Sequence, residues 1–116
     1  MNLKLIIALV DEERTEGVLE AARAAGATGA TVITRARGEG LKPEKSFFGL
    51  ELSAQRDMLL FLVAAPKARE ILETIAEAGA LDSAPGAGIA FQVAIEDAVG
   101  LNTQQAALLS AIEDRI

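Results

Sequence analysis

The sequence contains no cysteine, no histidine, no tryptophan and no tyrosine among its 116 residues. Thiolate and imidazole are the usual ligands of zinc, haem and iron–sulfur clusters and the commonest catalytic nucleophiles and bases, so those sites and reactions lack their usual groups. Basic residues are also few: 11 Lys and Arg stand against 17 Asp and Glu, and the net charge of −6 repels a nucleic-acid backbone. We therefore predict a protein that is not an enzyme, has no metal site and binds no nucleic acid.

The start of the sequence predicts neither a leader segment nor a membrane span. The first residues, MNLKLIIALVDEE, carry one lysine before a short apolar run. They lack both the small-residue cleavage site of a signal peptide and the length of a membrane span. A chain of this length fits one domain. We expect residues 1–116 to form a single domain located in the cytoplasm.

The first half of the sequence has the pattern of a strand, a helix and a second strand. Residues 3–10, LKLIIALV, form an apolar run of strand length, and Asp11 is a natural N-cap for the segment that follows. Residues 12–25 place small and apolar side chains at helical spacing, and Gly26 is suited to end that helix. The β-branched run ATGATVIT at 27–34 then predicts the second strand.

The second half repeats this pattern at an offset of 53 residues. Residues 58–63, MLLFLV, predict a third strand, Pro66 suits the first turn of a helix that ends at Gly79, and IAFQVA at 89–94 predicts a fourth strand. A doubled β-α-β unit of this length indicates an α+β fold, a ferredoxin-like βαββαβ sandwich with two helices on one face of four antiparallel strands.

The strands predicted at 3–10 and 58–63 are apolar on both faces, although one face of such a sheet is expected to be uncovered. A homo-oligomer with the uncovered sheet faces turned inward accounts for this pattern. The C-terminal segment provides a second possible cover. Asn102 and Gln105 resemble a capping box, and the apolar stripe that follows predicts a helix at 103–116 that seals one edge.

A long connector, residues 34–56, joins the two halves. Gly38, Gly40, Gly49 and Pro43 disfavour a regular helix there. Its cations are Arg35, Arg37, Lys42 and Lys45, in an otherwise acidic protein. Because long loops of compact domains are usually functional or disordered, we predict that function resides in this connector and at its base; the alternative is a solvated link between two strands.

The sequence resembles the PII-type nitrogen-regulatory signal-transduction proteins, which are trimers of ferredoxin-like subunits. The resemblance covers roughly residues 3–101. It depends on the segment GATGATV at 26–32, which matches the family pattern of Gly, any residue, Thr, Gly, any residue, Thr, Val. The connector corresponds in place and length to the family's T-loop, and Pro85-Gly86-Ala87-Gly88 corresponds to its B-loop.

This resemblance implies a homotrimer that binds an adenine nucleotide in clefts between subunits, with 2-oxoglutarate and Mg²⁺ beside it in many members. The T-loop then docks on a transporter or an enzyme. The nucleotide-binding residues that the resemblance and the loop-base cations imply are Gly29, Thr31, Arg35, Arg37, Gly38, Lys42, Gly86 and Gly88. Glycine turns allow backbone N–H groups to approach phosphate oxygens, and cationic side chains add charged hydrogen bonds.

Several family residues are replaced in this chain. The lysine after the B-loop glycines is Ile89, the arginine pair near the end of the last strand is Gly100 and Asn102, and the T-loop glutamine is Leu41. Each charged hydrogen bond contributes roughly 1.5–3 kcal/mol, so the loss of three cations predicts triphosphate binding weaker by several powers of ten. The replaced glutamine predicts weaker coordination of Mg²⁺ and 2-oxoglutarate. Tyrosine uridylylation is excluded because the chain has no tyrosine.

Simpler interpretations exist for each of these residues. Gly86 and Gly88 fit an ordinary tight turn before a strand. Arg35 and Arg37, which alternate along the end of the second predicted strand, fit solvent-facing charges. Phe47 and Phe48 form either core packing at the sheet edge or an apolar tip that anchors a partner protein.

The sequence thus predicts a PII-like regulator that senses a small effector, an adenine nucleotide, and controls a partner transporter or metabolic enzyme in nitrogen or related metabolism. The alternatives are a trimer of the same fold tuned to AMP, a cyclic dinucleotide or bicarbonate, and a protein of the divalent-cation-tolerance type that works without nucleotide. The fold alone does not separate these functions.

Overall fold

The structure is a computed structural model that describes residues 2–37 and 55–101. Its elements are β1 (Leu3–Asp11), α1 (Thr15–Ala24), β2 (Thr31–Ala36), β3 (Arg56–Ala64), α2 (Ala65–Ala78) and β4 (Gly88–Ala94), with a 3-10 turn at Glu12–Arg14 before α1. The predicted order of strand, helix and strand, repeated once, is confirmed. The predicted C-terminal helix at 103–116 and connector residues 38–54 lie outside the described residues.

The four strands form one antiparallel sheet in the order β2-β3-β1-β4. The two long apolar strands β1 and β3 lie at the centre and pair from Leu3 opposite Ala64 to Asp11 opposite Arg56. The shorter strands β2 and β4 form the two edges. This arrangement confirms the predicted ferredoxin-like α+β fold.

The core lies between the sheet and the two helices, because alternate strand residues point to one face. Its buried members are Ile6, Ala8 and Val10 of β1, Leu59, Phe61 and Val63 of β3, Val18 and Ala22 of α1, and Ala68, Ile71 and Ile75 of α2, together with Ala27. Burial of each large side chain contributes about 1.5–3 kcal/mol. The helical stripes predicted from spacing therefore supply the cover for one face of the sheet.

The opposite sheet surface is also apolar. The intervening residues of the strands form it, namely Leu5, Ile7 and Leu9, Met58, Leu60 and Leu62, and Ile89, Phe91 and Val93, which lie opposite one another in the strand register. We call this surface the open face. Phe91 is 41% exposed and Val93 is 40% exposed. The predicted apolar character of both faces is thus confirmed within the described residues.

The start of α1 differs from the prediction. Asp11 is a cap as predicted, since its carboxylate accepts a hydrogen bond of 3.0 Å from the Glu13 N–H. It caps the 3-10 turn, however, and α1 begins three residues later, at Thr15 instead of Glu12. The buried Thr15 hydroxyl donates to the Asp57 carboxylate at 2.6 Å, which fixes the first helical residue to β3.

The predicted second strand at 27–34 is displaced in the structure. The Gly26 and Ala27 N–H groups donate to the carbonyls of Arg23 and Ala22 at 3.1 and 2.9 Å, and Gly26 has a φ of +120°, as in a Schellman-type helix end. Ala27 is then buried in the core, so the chain first crosses from the helix layer to the sheet. Strand pairing begins only at Thr31, opposite Leu60.

The end of α2 also corrects the predicted repeat. Pro66 lies in the first turn, as predicted. Gly79, however, is the C-cap with a φ of −86°, and the left-handed residue is Ala80 with a φ of +54°. The second helix end is therefore shifted by one residue relative to the first, where Gly26 takes the left-handed position.

Replacement of Ala80 by glycine is expected to stabilise the protein. A left-handed conformation disfavours an L-residue by about 1–2 kcal/mol and suits glycine, so we expect Ala80→Gly to raise the free energy of unfolding by about 1 kcal/mol. The matched control is Ala78→Gly, in the last turn of α2, which should lower stability by about 0.5–1 kcal/mol. Urea unfolding measures both, and the same sign for the two variants would contradict the prediction.

Neither α1 nor α2 has the length and apolar character that a bilayer-spanning helix needs, a finding limited to the described part of the chain.

Candidate functional site

The structure describes six of the ten predicted site residues. They are Gly29, Thr31, Arg35, Arg37, Gly86 and Gly88. The other four, Gly38, Lys42, Phe47 and Phe48, lie outside the described residues.

A cavity lies beside the start of β2. It has a volume of about 340 Å³, and Thr28, Gly29, Ala30, Thr31, Leu60 and Leu62 line it. Ligand pockets of proteins typically have volumes of about 300–1,000 Å³ and combine apolar walls with a few polar groups. Two leucines form such a wall here, and two threonine hydroxyls provide hydrogen-bonding groups beside it.

Gly29 is not required by the fold. A Cβ atom added there meets no other atom within 4 Å, and the backbone is not in the left-handed region. An alanine would therefore fit this position sterically. A ligand that approaches the backbone closely at the cavity gives a physical reason for the missing side chain.

Arg35 lies in a β-bulge that the sequence pattern did not predict. The register of β2 against β3 shifts by one residue between Ile33 and Ala36, and Arg35 has a φ of +60°. A non-glycine residue in this conformation is strained by about 1–3 kcal/mol. Bulges of this kind redirect a side chain, so Arg35 and Arg37 do not alternate along a regular strand. Both residues are nevertheless exposed, as the interpretation of solvent-facing charges predicts.

The turn before β4 has the geometry of a type II turn. The Ala87 N–H donates to the Ala84 carbonyl at 3.1 Å, Pro85 occupies the second position, and Gly86 has a φ of +72° in the third. Gly88 has a steric requirement of its own, because an added Cβ would lie 2.1 Å from the Leu9 carbonyl oxygen. Both glycines are therefore explained by the fold itself.

The two groups of candidate residues lie on opposite edges of the sheet. Gly29 and Thr31 are at β2, whereas Gly86 and Gly88 are at β4, and β3 and β1 lie between them. Three strand spacings place the two edges about 14 Å apart. One subunit alone therefore does not bring the two groups into a single pocket.

Sequence analysis missed Arg56, the first residue of β3. Its side chain is 4% exposed, and its guanidinium Nη2 donates to the Gly86 carbonyl. The Cα partners of Arg56 are Asp11 on β1 and Ala36 on β2. In the sequence, Arg56 stands directly before an apolar strand, where the connector ends, but nothing in that local pattern indicates its burial.

No group of three or more acidic side chains that could hold a metal ion occurs within residues 2–37 and 55–101. The ionic side chains in this part of the candidate site are arginines.

A family model described as nitrogen regulatory protein P-II matches residues 3–105 of the chain. No curated protein matches the sequence significantly. Two solved structures illustrate the similarity in fold. A PII-like signaling protein from Thermus thermophilus is 24% identical, with 82% of this chain and 87% of that chain covered and a TM-score of 0.58. CPII from Thiomonas intermedia, solved with ADP, AMP and acetate, is 16% identical, with 83% and 90% covered and a TM-score of 0.62.

Proposed function

The chain belongs to the nitrogen regulatory protein P-II family, and from this membership we propose that it is a cytoplasmic signal-transduction protein that binds an adenine nucleotide and controls a partner protein. The partner is a transporter or an enzyme of nitrogen or related metabolism. The connector, residues 34–56, makes the contact with the partner, with Phe47 and Phe48 as its apolar anchor.

The nucleotide binds between two subunits of a homotrimer. The separation of the two residue groups by about 14 Å supports this arrangement, since the β2 edge of one subunit and the β4 edge of its neighbour together make one cleft. The open face supports it as well, because its apolar side chains require cover. In the trimer the open faces of the subunits turn towards one another.

The cavity beside β2 is the observation that carries the proposal. Leu60 and Leu62 offer an apolar wall for a planar base, and the Thr31 hydroxyl offers a hydrogen bond to its polar edge. Gly29 leaves the backbone accessible to the base. In this arrangement the adenine occupies the cavity, and the phosphates extend towards the cations and glycines.

The phosphate-binding residues are Arg35, Arg37, Gly86 and Gly88, with Gly38 and Lys42 from the connector. Because three family cations are replaced in this chain, we propose that ADP or AMP is preferred over ATP. The ADP and AMP bound to the Thiomonas protein support an adenine nucleotide as the ligand. Nucleotide binding shifts the equilibrium between conformers of the connector. The size of this shift equals the difference between the nucleotide's binding free energies for the two conformers.

Calorimetric titration with ATP, ADP and AMP tests the proposal, with and without Mg²⁺ and 2-oxoglutarate. We expect micromolar binding of at least one nucleotide and weaker binding by Lys42→Ala. If no adenine nucleotide binds below millimolar concentration, the nucleotide proposal is wrong. Titration with bicarbonate and with cyclic dinucleotides then distinguishes the two alternatives. Binding of either would indicate a protein tuned to another ligand, and binding of neither would favour a function without nucleotide.

Gly29→Ala is expected to weaken nucleotide binding at least about fivefold while stability changes by less than about 0.5 kcal/mol. The added methyl group finds open space in the protein alone, but it occupies volume next to the bound base, and overpacking of this kind disfavours binding by about 1–3 kcal/mol. Calorimetry and urea unfolding measure the two effects.

Gly17→Ala is the matched control. Gly17 lies in α1 and its added Cβ also meets no atom within 4 Å, but it lies outside the cavity. The nucleotide affinity of the Gly17→Ala variant should equal that of the wild type. Equal affinity of the Gly29→Ala variant would exclude the base from this cavity.

A further inference from the structure

Arg56 is a buried cation at the end of the connector. Only 4% of its surface is exposed, and its Nε atom is buried without a hydrogen-bond partner in the structure. No ion pair of Arg56 occurs among the described residues. Removal of a charged group from water is unfavourable unless hydrogen bonds or charges compensate it. The bond to the Gly86 carbonyl is therefore the interaction that accounts for the position of this guanidinium.

The bond completes the hydrogen bonding of one peptide unit in the turn. The peptide that joins Gly86 to Ala87 has its N–H bound to the Ala84 carbonyl at 3.1 Å and its carbonyl bound to Arg56. Gly86 holds a φ of +72°, a conformation that glycine also leaves readily. Without Arg56, one of the two interactions that fix this peptide is lost.

The side chain of Arg56 spans the end of a neighbouring strand. Arg56 lies opposite Asp11, the last residue of β1. Val10, which precedes Asp11 on β1, lies opposite Gly88 on β4. The hydrogen bond thus runs from β3, across the end of β1, to the turn that precedes β4. It connects the residue where the connector ends to the turn on the far edge of the sheet.

We infer that Arg56 is a positioning residue that fixes the turn 84–87 for ligand binding and links it to the base of the connector. The inference rests on the proposed function, in which this turn faces the phosphates of the nucleotide. A change in the turn alters the Arg56 bond, and a change at Arg56 alters the turn, because coupling between two sites is reciprocal.

Arg56→Lys and Arg56→Gln test the inference by amide hydrogen exchange and ADP titration. We expect exchange in a peptide covering 84–88 to rise at least tenfold in the absence of ligand, with exchange in 89–94 nearly unchanged, and affinity for ADP to fall at least tenfold. A general loss of fold would instead raise exchange throughout the sheet. Arg56→Lys retains the positive charge, so it tests the role of Arg56 in the turn even if Arg56→Gln does not fold.

Arg69→Gln is the matched control, because it makes the same change of charge at a side chain that is 75% exposed and pairs with Glu73 at 2.8 Å. It should leave both readouts unchanged. Unchanged exchange in 84–88 of the folded Arg56→Lys variant, or a rise spread over the whole sheet, overturns the inference. A third outcome is that the wild-type protein binds no nucleotide, but amide exchange in 84–88 still rises in the Arg56 variants. The proposed function then fails, while the role of Arg56 in the turn is supported.

Discussion

Val93→Glu is expected to convert the proposed homotrimer into monomers. Val93 belongs to the open face, where it lies opposite Leu5 on β1, and 40% of its surface is exposed in the isolated subunit. In the proposed trimer this surface is covered by the neighbouring subunits. Burial of an unpaired carboxylate is unfavourable by several kcal/mol, and the substitution occurs in every subunit. We expect the association constant to fall at least about a thousandfold, which corresponds to about 4 kcal/mol.

Light scattering after size-exclusion chromatography measures the effect over a range of protein concentrations. The matched control is Val32→Glu. Val32 is also 40% exposed, but it lies opposite Leu59 in the sheet and therefore on the face that bears the helices. Val32→Glu should remain assembled. A trimeric Val93→Glu protein would show that the open face is not the contact between subunits.

The fold was predictable because it depends on patterns that are local in the sequence. The apolar runs of β1 and β3, with helical stripes between them, specified the doubled β-α-β unit and the two apolar faces. The ends of the elements were not predictable to the same extent. The first residue of α1, Thr15, is fixed by its contact with Asp57, 42 residues away. Strand β2 begins only at Thr31, where its pairing with β3 begins.

The candidate site was predictable in part, and for a different reason. The motif at 26–32 pointed to Gly29 and Thr31, and the structure places both at a cavity; their roles in binding stay predictions. The bulge at Arg35 and the burial of Arg56 had no local signal, since both depend on how β2 and β3 pair. An arginine next to a loop is normally exposed, and only the three-dimensional structure shows that Arg56 is not.

Gly88→Ala is expected to lower the free energy of unfolding by at least about 3 kcal/mol. Gly88 has a φ of +151°, and its added Cβ would lie 2.1 Å from the Leu9 carbonyl oxygen and 2.9 Å from the Leu81 side chain. The oxygen is part of the backbone, so relief of the clash requires β4 to separate from β1, where Val10 pairs with Gly88. Urea unfolding followed by circular dichroism measures the loss.

Gly17→Ala makes the same chemical change in open space and should raise stability by up to about 1 kcal/mol, because alanine favours the helix. A loss of stability below about 1 kcal/mol for Gly88→Ala would mean that the β1–β4 contact adapts, and that the fold does not require this glycine. If the large loss is observed, weaker nucleotide binding by that variant carries no information about phosphate contacts, since the strand itself is displaced. The distinction between a glycine needed by the fold and one needed by a ligand then depends on Gly29, where the added methyl group contacts no atom among the described residues of the subunit.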